Sequence, residues 1–192
     1  MQNAFKKENL KEILEKVSCN FFPDDNYISS YRYILQASDL LLNKLGPDAV
    51  PSICFMAYGW MPTILSYDSS SFYNQKIAKS LEISNIEEAK NFIDSFESSP
   101  VNNSWVGLSK TLHFINPNIF PIWDSRVALH FGVSNSYQMA KKQNYLRYLQ
   151  FVHANLDLPE VTVVRMKIRT QYRYEMTPVR LIEYALFSDP SA

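Results

Sequence analysis

The chain has 192 residues, of which 46% are hydrophobic, so it has the size of one domain with a substantial core. It contains only four glycines, which argues against a glycine-rich nucleotide-binding loop. Two cysteines, Cys19 and Cys54, are too few for a disulfide framework or a four-cysteine metal site, and both lie among apolar residues. We therefore expect two reduced core cysteines and neither a metal nor another cofactor.

The net charge is zero, but the charge is unevenly distributed along the chain. Residues 1–104 hold nine Lys or Arg against thirteen Asp or Glu, whereas residues 105–192 hold ten against six. A basic surface is therefore predicted in the second half, where no acid interrupts the run of Arg165, Lys167, Arg169 and Arg173. Such a run is typical of a DNA-binding surface, and also of a solvated helix face.

The N-terminal segment is charged and amphipathic, without the continuous apolar run of a signal peptide. No later segment reaches 18 consecutive apolar residues, the length that a membrane-spanning helix needs. We expect a cytoplasmic, monomeric protein that makes no contact with a membrane.

Apolar residues spaced three and four apart, together with capping residues, predict a series of helices in the first half. These helices cover Phe5–Val17, Tyr27–Leu45, Pro51–Trp60, Phe72–Leu81 and Ile86–Phe96. Gly46-Pro47 ends the second helix, and the polar run Asp68–Ser71 forms a loop. A further break is predicted at Pro100–Asn103.

The second half continues in the same way. Helices are predicted over Trp105–Phe114, from Asp124 onward, over Ser136–Leu156, over Glu160–Tyr174 and from a cap at Thr177 onward. Asn118–Trp123 is extended, and Tyr137 begins the inward-facing stripe of the long helix. Val161–Val164 favour a strand while Pro159 favours a helix N-terminus, and we interpret the segment as helical. No clean alternating strand is present, so we predict an all-α fold in a single helical domain of residues 1–192.

The segment from Trp105 to Gly132 concentrates one Lys, one Asp, two His, two Trp and one Arg. A helix is followed by a turn at Pro117, a short extended run and an aspartate at the next helix start. This arrangement resembles the helix-hairpin-helix DNA glycosylase superfamily, whose signature is a glycine-containing hairpin followed by an aspartate. Val106–Lys110 matches the glycine-and-lysine part of that hairpin, and Ile122–Val127 matches the aspartate part.

The resemblance implies a bilobed helical fold with a cleft between lobes, here residues 1–100 and 101–192. It also implies an enzyme that excises a damaged or modified base from DNA and leaves an abasic site. Asp124 would stabilise the positive charge that develops on the sugar, or activate water. Lys110 could instead attack the sugar as a neutral amine, form a Schiff base and then cleave the strand, which would add lyase activity.

Residues around these two are candidates for contacts with DNA. A base flipped out of the duplex is stacked on an aromatic ring, for which Trp60, Trp105 and Trp123 are candidates, with Tyr58 behind them. Gly107 and Ser109 belong to the matched hairpin, and His113 and Arg126 could hold phosphates; the basic run at Arg165, Lys167, Arg169 and Arg173 would add a DNA-facing surface.

Each assignment has a structural alternative. Asp124 is also a suitable helix N-cap, and the two roles are compatible. Lys110 could be a solvated helix lysine, and Arg126 could pair with a carboxylate. His113 could be a hydrogen-bonded core residue, which we favour, and the tryptophans could be core residues.

Three functions remain open from the sequence. The first is a DNA glycosylase, acting on a repair lesion or on a modified base, such as a modified cytosine of phage DNA, in antiviral defence. Because the matched hairpin has one glycine where the family has two, a modified base is favoured over a common lesion. The second is a helical module that binds DNA or protein without catalysis, and the third is a structural interaction protein.

Overall fold

A computed structural model describes residues 5–19, 26–60 and 65–190, which fold into eleven α-helices and two short 3-10 helices. The helices are α1 (Lys7–Cys19), α2 (Asn26–Leu45), α3 (Val50–Trp60), α4 (Ser71–Ala78), α5 (Ile86–Asp94), α6 (Trp105–Ile115), α7 (Ser125–His130), α8 (Ser136–Met139), α9 (Lys142–His153), α10 (Pro159–Tyr172) and α11 (Pro178–Ser188). The 3-10 helices, Gly46–Ala49 and Lys79–Glu82, follow α2 and α4. No β-strand occurs in these ranges, so the all-α prediction is confirmed, and none of these helices could cross a membrane.

Residues 136–156 do not form the single long helix that the sequence predicts. Helix α8 ends at Met139, Lys141 is extended, with φ −76° and ψ 130°, and α9 begins at Lys142. The carbonyl oxygen of Gln138 accepts the backbone N–H of Lys141 at 3.1 Å and the side-chain amide of Asn144 at 2.7 Å. The break turns Tyr137 outward, where it is 72% exposed, so its predicted place in the inward-facing stripe is wrong.

The two ends of the chain pack together. Helix α1 contacts α10 and α11, while α11 also contacts α7 and α9. Helix α6 packs against α3 and α2, and α5 packs against α9. The sequence halves 1–100 and 101–192 are therefore interleaved, because the first helix lies with the last two.

Helix α6 lies at the centre of the molecule, and every residue in it except Val106 is buried. Gly107 permits the close approach of α3, because a Cβ atom there would collide with the Tyr58 hydroxyl and come within 3.0 Å of the Val101 carbonyl oxygen. Only glycine fits this position without a shift of its neighbours.

The predicted core role of Cys54 is confirmed. Its free thiol is buried against α6, 3.3 Å from the Thr111 hydroxyl, and burial raises the pKa of the thiol to about 11. The side chain of Cys19 lies outside the described residues.

Candidate active site

Asp124 is the N-cap of α7. Its backbone is extended, with φ −135°, and its carboxylate oxygen Oδ1 accepts a hydrogen bond from the amide of Val127 at 2.9 Å. The carboxylate is only 8% exposed, so the predicted cap is confirmed, and the capping bond fixes the orientation of a buried acid.

Lys110, from the middle of α6, is 5% exposed, so the alternative of a solvated helix lysine is wrong. Its Nζ atom lies 5.5 Å from the centre of the Tyr58 ring. Within the described part of the chain, this amine has no hydrogen bond and no ion pair. The burial of most of this side chain disfavours its charged form.

Burial and mutual attraction act in opposite directions on these two groups. Burial lowers the pKa of Lys110, and the nearby charge of Asp124 opposes that shift. Burial raises the pKa of Asp124, against the hydrogen bond from Val127 and the positive charges of Lys110 and Arg180. Lys110 and Asp124 therefore share one low-dielectric site without forming a direct ion pair.

Arg180, in the first turn of α11, supplies a second buried cation, which the sequence interpretation missed. It forms an ion pair with Glu183 one turn later, and both side chains are almost fully buried. The guanidinium packs on the Tyr31 ring at 4.8 Å and on the Trp60 ring at 5.3 Å. The available signal was two opposite charges, three residues apart, within an otherwise apolar stretch of helix.

Tyr148 was also missed. Its ring packs against Trp123, with centroids 5.2 Å apart, and its hydroxyl is buried without a hydrogen-bond partner in the described chain. Burial raises its pKa, and the negative charge of Asp124 raises it further. This hydroxyl therefore belongs to the same buried environment as the candidate catalytic carboxylate.

His113 lies in the core and does not contact solvent, which corrects its assignment as a DNA-binding residue. Nδ1 is 2.6 Å from the carbonyl oxygen of Phe120, to which it donates, and Nε2 then accepts from the Tyr31 hydroxyl at 2.6 Å. Burial and the charge of Arg180 lower the pKa of His113 to about 3. A neutral, doubly hydrogen-bonded histidine cannot also hold a phosphate, and the favoured core alternative is confirmed.

Two of the three candidate stacking tryptophans are core residues in this structure. The Trp105 ring stacks on Tyr145 at 5.9 Å, and Trp123 is completely buried. Trp60 is only half-buried, and its indole N–H donates to the Ser30 hydroxyl at 2.8 Å. The base-stacking assignment therefore fits only Trp60, because the other two rings have no free face at the surface.

Gly107 and Ser109 lie inside α6, and the turn that precedes the helix comes earlier than the hairpin match placed it. The Ser109 hydroxyl donates to the Val106 carbonyl and accepts the backbone N–H of Trp123 at 3.0 Å, which ties α6 to the segment before Asp124. Neither residue is placed to contact DNA, because both are buried.

The turn between α5 and α6 instead contains two consecutive left-handed residues, Asn102 and Asn103, with φ 53° and 46°. Asparagine adopts this conformation more readily than most residues other than glycine. The pair of asparagines within the predicted break at 100–103 is the sequence signal for this left-handed turn.

The basic residues fall into two groups. Arg126 is exposed two residues after Asp124, with its guanidinium 4.8 Å from the centre of the Phe187 ring.

The second group is the basic run of α10. Arg165 pairs with Glu175, and the Lys167 amine donates to the Ser18 carbonyl at 2.6 Å. Arg169 and Arg173 are exposed, and α10 packs on α1 and α11. The predicted basic run is thus partly engaged in contacts within the protein.

Over residues 5–19, 26–60 and 65–190, no three His, Cys, Asp or Glu side chains come together as metal ligands. Comparison of the chain with protein-family models, curated proteins and solved structures gave no match. A function for this chain is therefore inferred from its own residues.

Proposed function

We propose that this protein is a DNA glycosylase that removes a damaged or modified base, with Asp124 and Lys110 as its catalytic groups. The observation that carries the proposal is a buried lysine without a hydrogen bond or ion pair, in electrostatic contact with a buried carboxylate. Such an arrangement is costly for stability, and strongly perturbed ionisable groups of this kind concentrate at functional sites.

Asp124 suits the stabilisation of a positively charged sugar. Cleavage of the N-glycosidic bond develops positive charge at the sugar carbon, and a carboxylate held in place by the Val127 amide needs no reorganisation to face it. Its burial reduces screening by water, which strengthens that interaction.

Lys110 suits nucleophilic attack. A lowered pKa increases the fraction of neutral amine, whose lone pair can form a bond to the sugar carbon while the base leaves with the electrons of the glycosidic bond and takes up a proton. Loss of a proton from the attached amine and opening of the sugar ring then give a Schiff base. If Lys110 does not attack, water takes its place and the product is an abasic site.

The path of the chain around the site also supports the proposal. Helix α6, a turn after Ile115, an extended segment and the cap of α7 follow in order. This is the order of elements on which the resemblance to helix-hairpin-helix glycosylases rests.

The first experiment measures base release from duplexes that carry single lesions or modified bases, including modified cytosines, with alkali used to cut abasic sites. Asp124→Asn should reduce release by about 100-fold or more, because asparagine can still cap α7 but carries no charge. The exposed Asp157 gives a control, and Asp157→Asn should leave release unchanged. No cleavage of any duplex by the wild-type protein would exclude the enzyme.

The second experiment tests the lysine by borohydride reduction, which traps a Schiff base as a covalent protein–DNA species. We expect trapping by the wild-type protein and by the exposed-site control Lys79→Gln, and none by Lys110→Gln. Base release without trapping would mean that water is the nucleophile.

The alternative is a helical module that binds DNA or protein without catalysis. Its supporting observation is the N-cap bond of Asp124, which gives that residue a structural purpose by itself. Binding to DNA or protein by the wild-type protein, with no base released from any duplex, would favour this alternative. The nature of any base released decides between repair and attack on modified phage DNA.

A further inference from the structure

The segment from residue 125 to residue 156 contains four cations and no Asp or Glu. The cations are Arg126, Lys141, Lys142 and Arg147, and both arginines are exposed. Lys142 is directed toward the end of α5, where its amine donates to the Phe96 carbonyl at 2.6 Å. Helix α8 contacts both α7 and α9, so the remaining three cations belong to neighbouring elements.

This part of the chain also carries an exposed aromatic ring. Tyr137 on α8 is 72% exposed, and the amine of Lys141 lies 4.6 Å from the centre of its ring. An exposed ring beside a cation combines the two groups that single-stranded or unpaired nucleotides need, a stacking face and a phosphate contact.

Helix α8 is hydrogen-bonded to Trp123, the residue that precedes Asp124. The indole N–H of Trp123 donates to the Met139 carbonyl at 3.0 Å, and the Asn135 side chain caps the other end of the helix through the Gln138 amide at 2.9 Å. Together with the hydrogen bond from Asn144 to Gln138, these contacts fix the position of α8, which carries Tyr137, next to the candidate active site.

We propose that DNA docks on the surface formed by Arg126, Tyr137 and Lys141, and that the basic run of α10 does not form the main DNA interface. Tyr137 stacks on a base that has lost its partner when the target nucleotide leaves the duplex, and the two cations contact neighbouring phosphates. The identity of the partner rests on the proposed function, whereas the position of the surface rests on exposure and charge.

The stacking part is tested by fluorescence anisotropy with the full chain and a short duplex containing a non-cleavable abasic analogue, which leaves one base unpaired. Tyr137→Ala should weaken binding about tenfold, and should weaken binding to the fully paired duplex less. Tyr137→Phe keeps the stacking face and should bind like the wild-type protein. Equal losses for Ala and Phe, or no loss for either, would overturn the stacking role.

The phosphate part is tested by the salt dependence of the same binding. The double variant Arg126→Gln/Lys141→Gln should lower the slope of log Kd against log salt by about two, since each lost phosphate contact removes about one. The matched control, Arg169→Gln on α10 combined with Arg173→Gln directly after it, removes the same charge from exposed positions and should leave the slope unchanged. All variants are compared only after their thermal unfolding is shown to match the wild type.

The outcomes separate this inference from the proposed function. A slope lowered by the α10 variant alone would overturn the docking surface and leave the glycosylase proposal intact. Binding that depends on Tyr137 and Lys141, with no base released from any duplex, would support the surface and reject the enzyme. No affinity for DNA at any salt concentration would overturn both.

Discussion

The molecule buries two sets of opposite charges in different ways. Arg180 and Glu183 form a direct ion pair within one turn of α11, and aromatic rings cover the guanidinium. Lys110 and Asp124 come from successive elements, α6 and the start of α7, and influence each other's pKa without an ion pair between them.

This difference indicates which of the buried charges stabilise the folded protein. In a direct ion pair each charged group takes the place of the water that solvated the other group. Removal of one partner therefore leaves the other charge buried and uncompensated, which strongly destabilises the fold. A buried lysine without a hydrogen bond or ion pair in the described residues has no comparable stabilising contact, so its presence calls for a functional explanation. Measurements of stability can therefore distinguish the two sets independently of any enzyme assay.

The largest effect is expected at the paired set. Glu183→Gln should lower the free energy of unfolding by about 3–5 kcal/mol, because Arg180 would remain buried without its counter-charge. Urea denaturation measures this change. The exposed pair Glu87 and Lys90, 3.0 Å apart and with the same three-residue spacing, gives the control. Glu87→Gln should cost at most about 1 kcal/mol, and equal losses at the two sites would contradict the role assigned to burial.

The second-largest effect on the free energy of unfolding is expected at His113, which is neutral and lies near Arg180. Its folded-state pKa of about 3 is below its ordinary value of 6.5, so the unfolded chain binds more protons between these values. Stability contributed by neutral His113 is present above pH 6.5 and is lost as the pH falls, with a slope of up to about 1.4 kcal/mol per pH unit.

The measurement is the difference in unfolding free energy between wild-type protein and His113→Gln from pH 7 to pH 4.5. The contributions of carboxylates common to both proteins cancel in that difference. A difference that does not vary with pH would show that His113 is protonated in the folded protein at the same pH as in the unfolded chain, contrary to its hydrogen bonds with Phe120 and Tyr31.

A smaller effect is expected where α3 meets the helix that carries Lys110. Gly107→Ala should destabilise the protein by about 1–3 kcal/mol, because the added methyl group meets the Tyr58 hydroxyl and the Val101 carbonyl. Gly59→Ala gives the control, since nothing lies within 4 Å of a Cβ there, and it should be neutral or stabilising by up to about 1 kcal/mol. In a Tyr58→Phe background the cost of Gly107→Ala should fall, and an unchanged cost would place the clash elsewhere.

The smallest effect on stability is expected at the unpaired lysine. Lys110→Met keeps the length of the side chain and removes the buried charge, so the free energy of unfolding should change by less than about 1 kcal/mol or increase. Borohydride trapping should be lost in the same variant. A destabilisation as large as that of Glu183→Gln would remove the contrast between the two sets and make Lys110 a structural residue.

Local chemistry made much of the helical framework predictable. Asp124 and Thr177 cap helices where the sequence places them, Pro178 occupies the first turn after Thr177, and Pro159 begins α10 in a segment that also had strand character. The break at Lys141 was not predictable from apolar spacing, which does not indicate the extended backbone there or the hydrogen bond that Asn144 makes to Gln138 across it. The outward position of Tyr137 follows from that break.

The site was predictable in part. The sequence singled out Lys110 and Asp124 as residue types suited to the chemistry, but it could not show that the lysine is buried. Arg180 and Tyr148 were missed because an arginine and a tyrosine in an amphipathic helix are usually compatible with the surface. Two of the three candidate tryptophans were misassigned to the site because an aromatic ring suits the core as well as a stacking platform.

The sequence by itself determined the all-α class, most helix starts and the cap at Asp124, because these depend on contacts within a few residues of the chain. The tertiary structure alone decided that the Lys110 side chain is buried, that Arg180 packs on the rings of Tyr31 and Trp60, and that the α10 cations are partly engaged within the protein. Those outcomes depend on residues far apart in the chain, and only the packing of the helices brings such residues together.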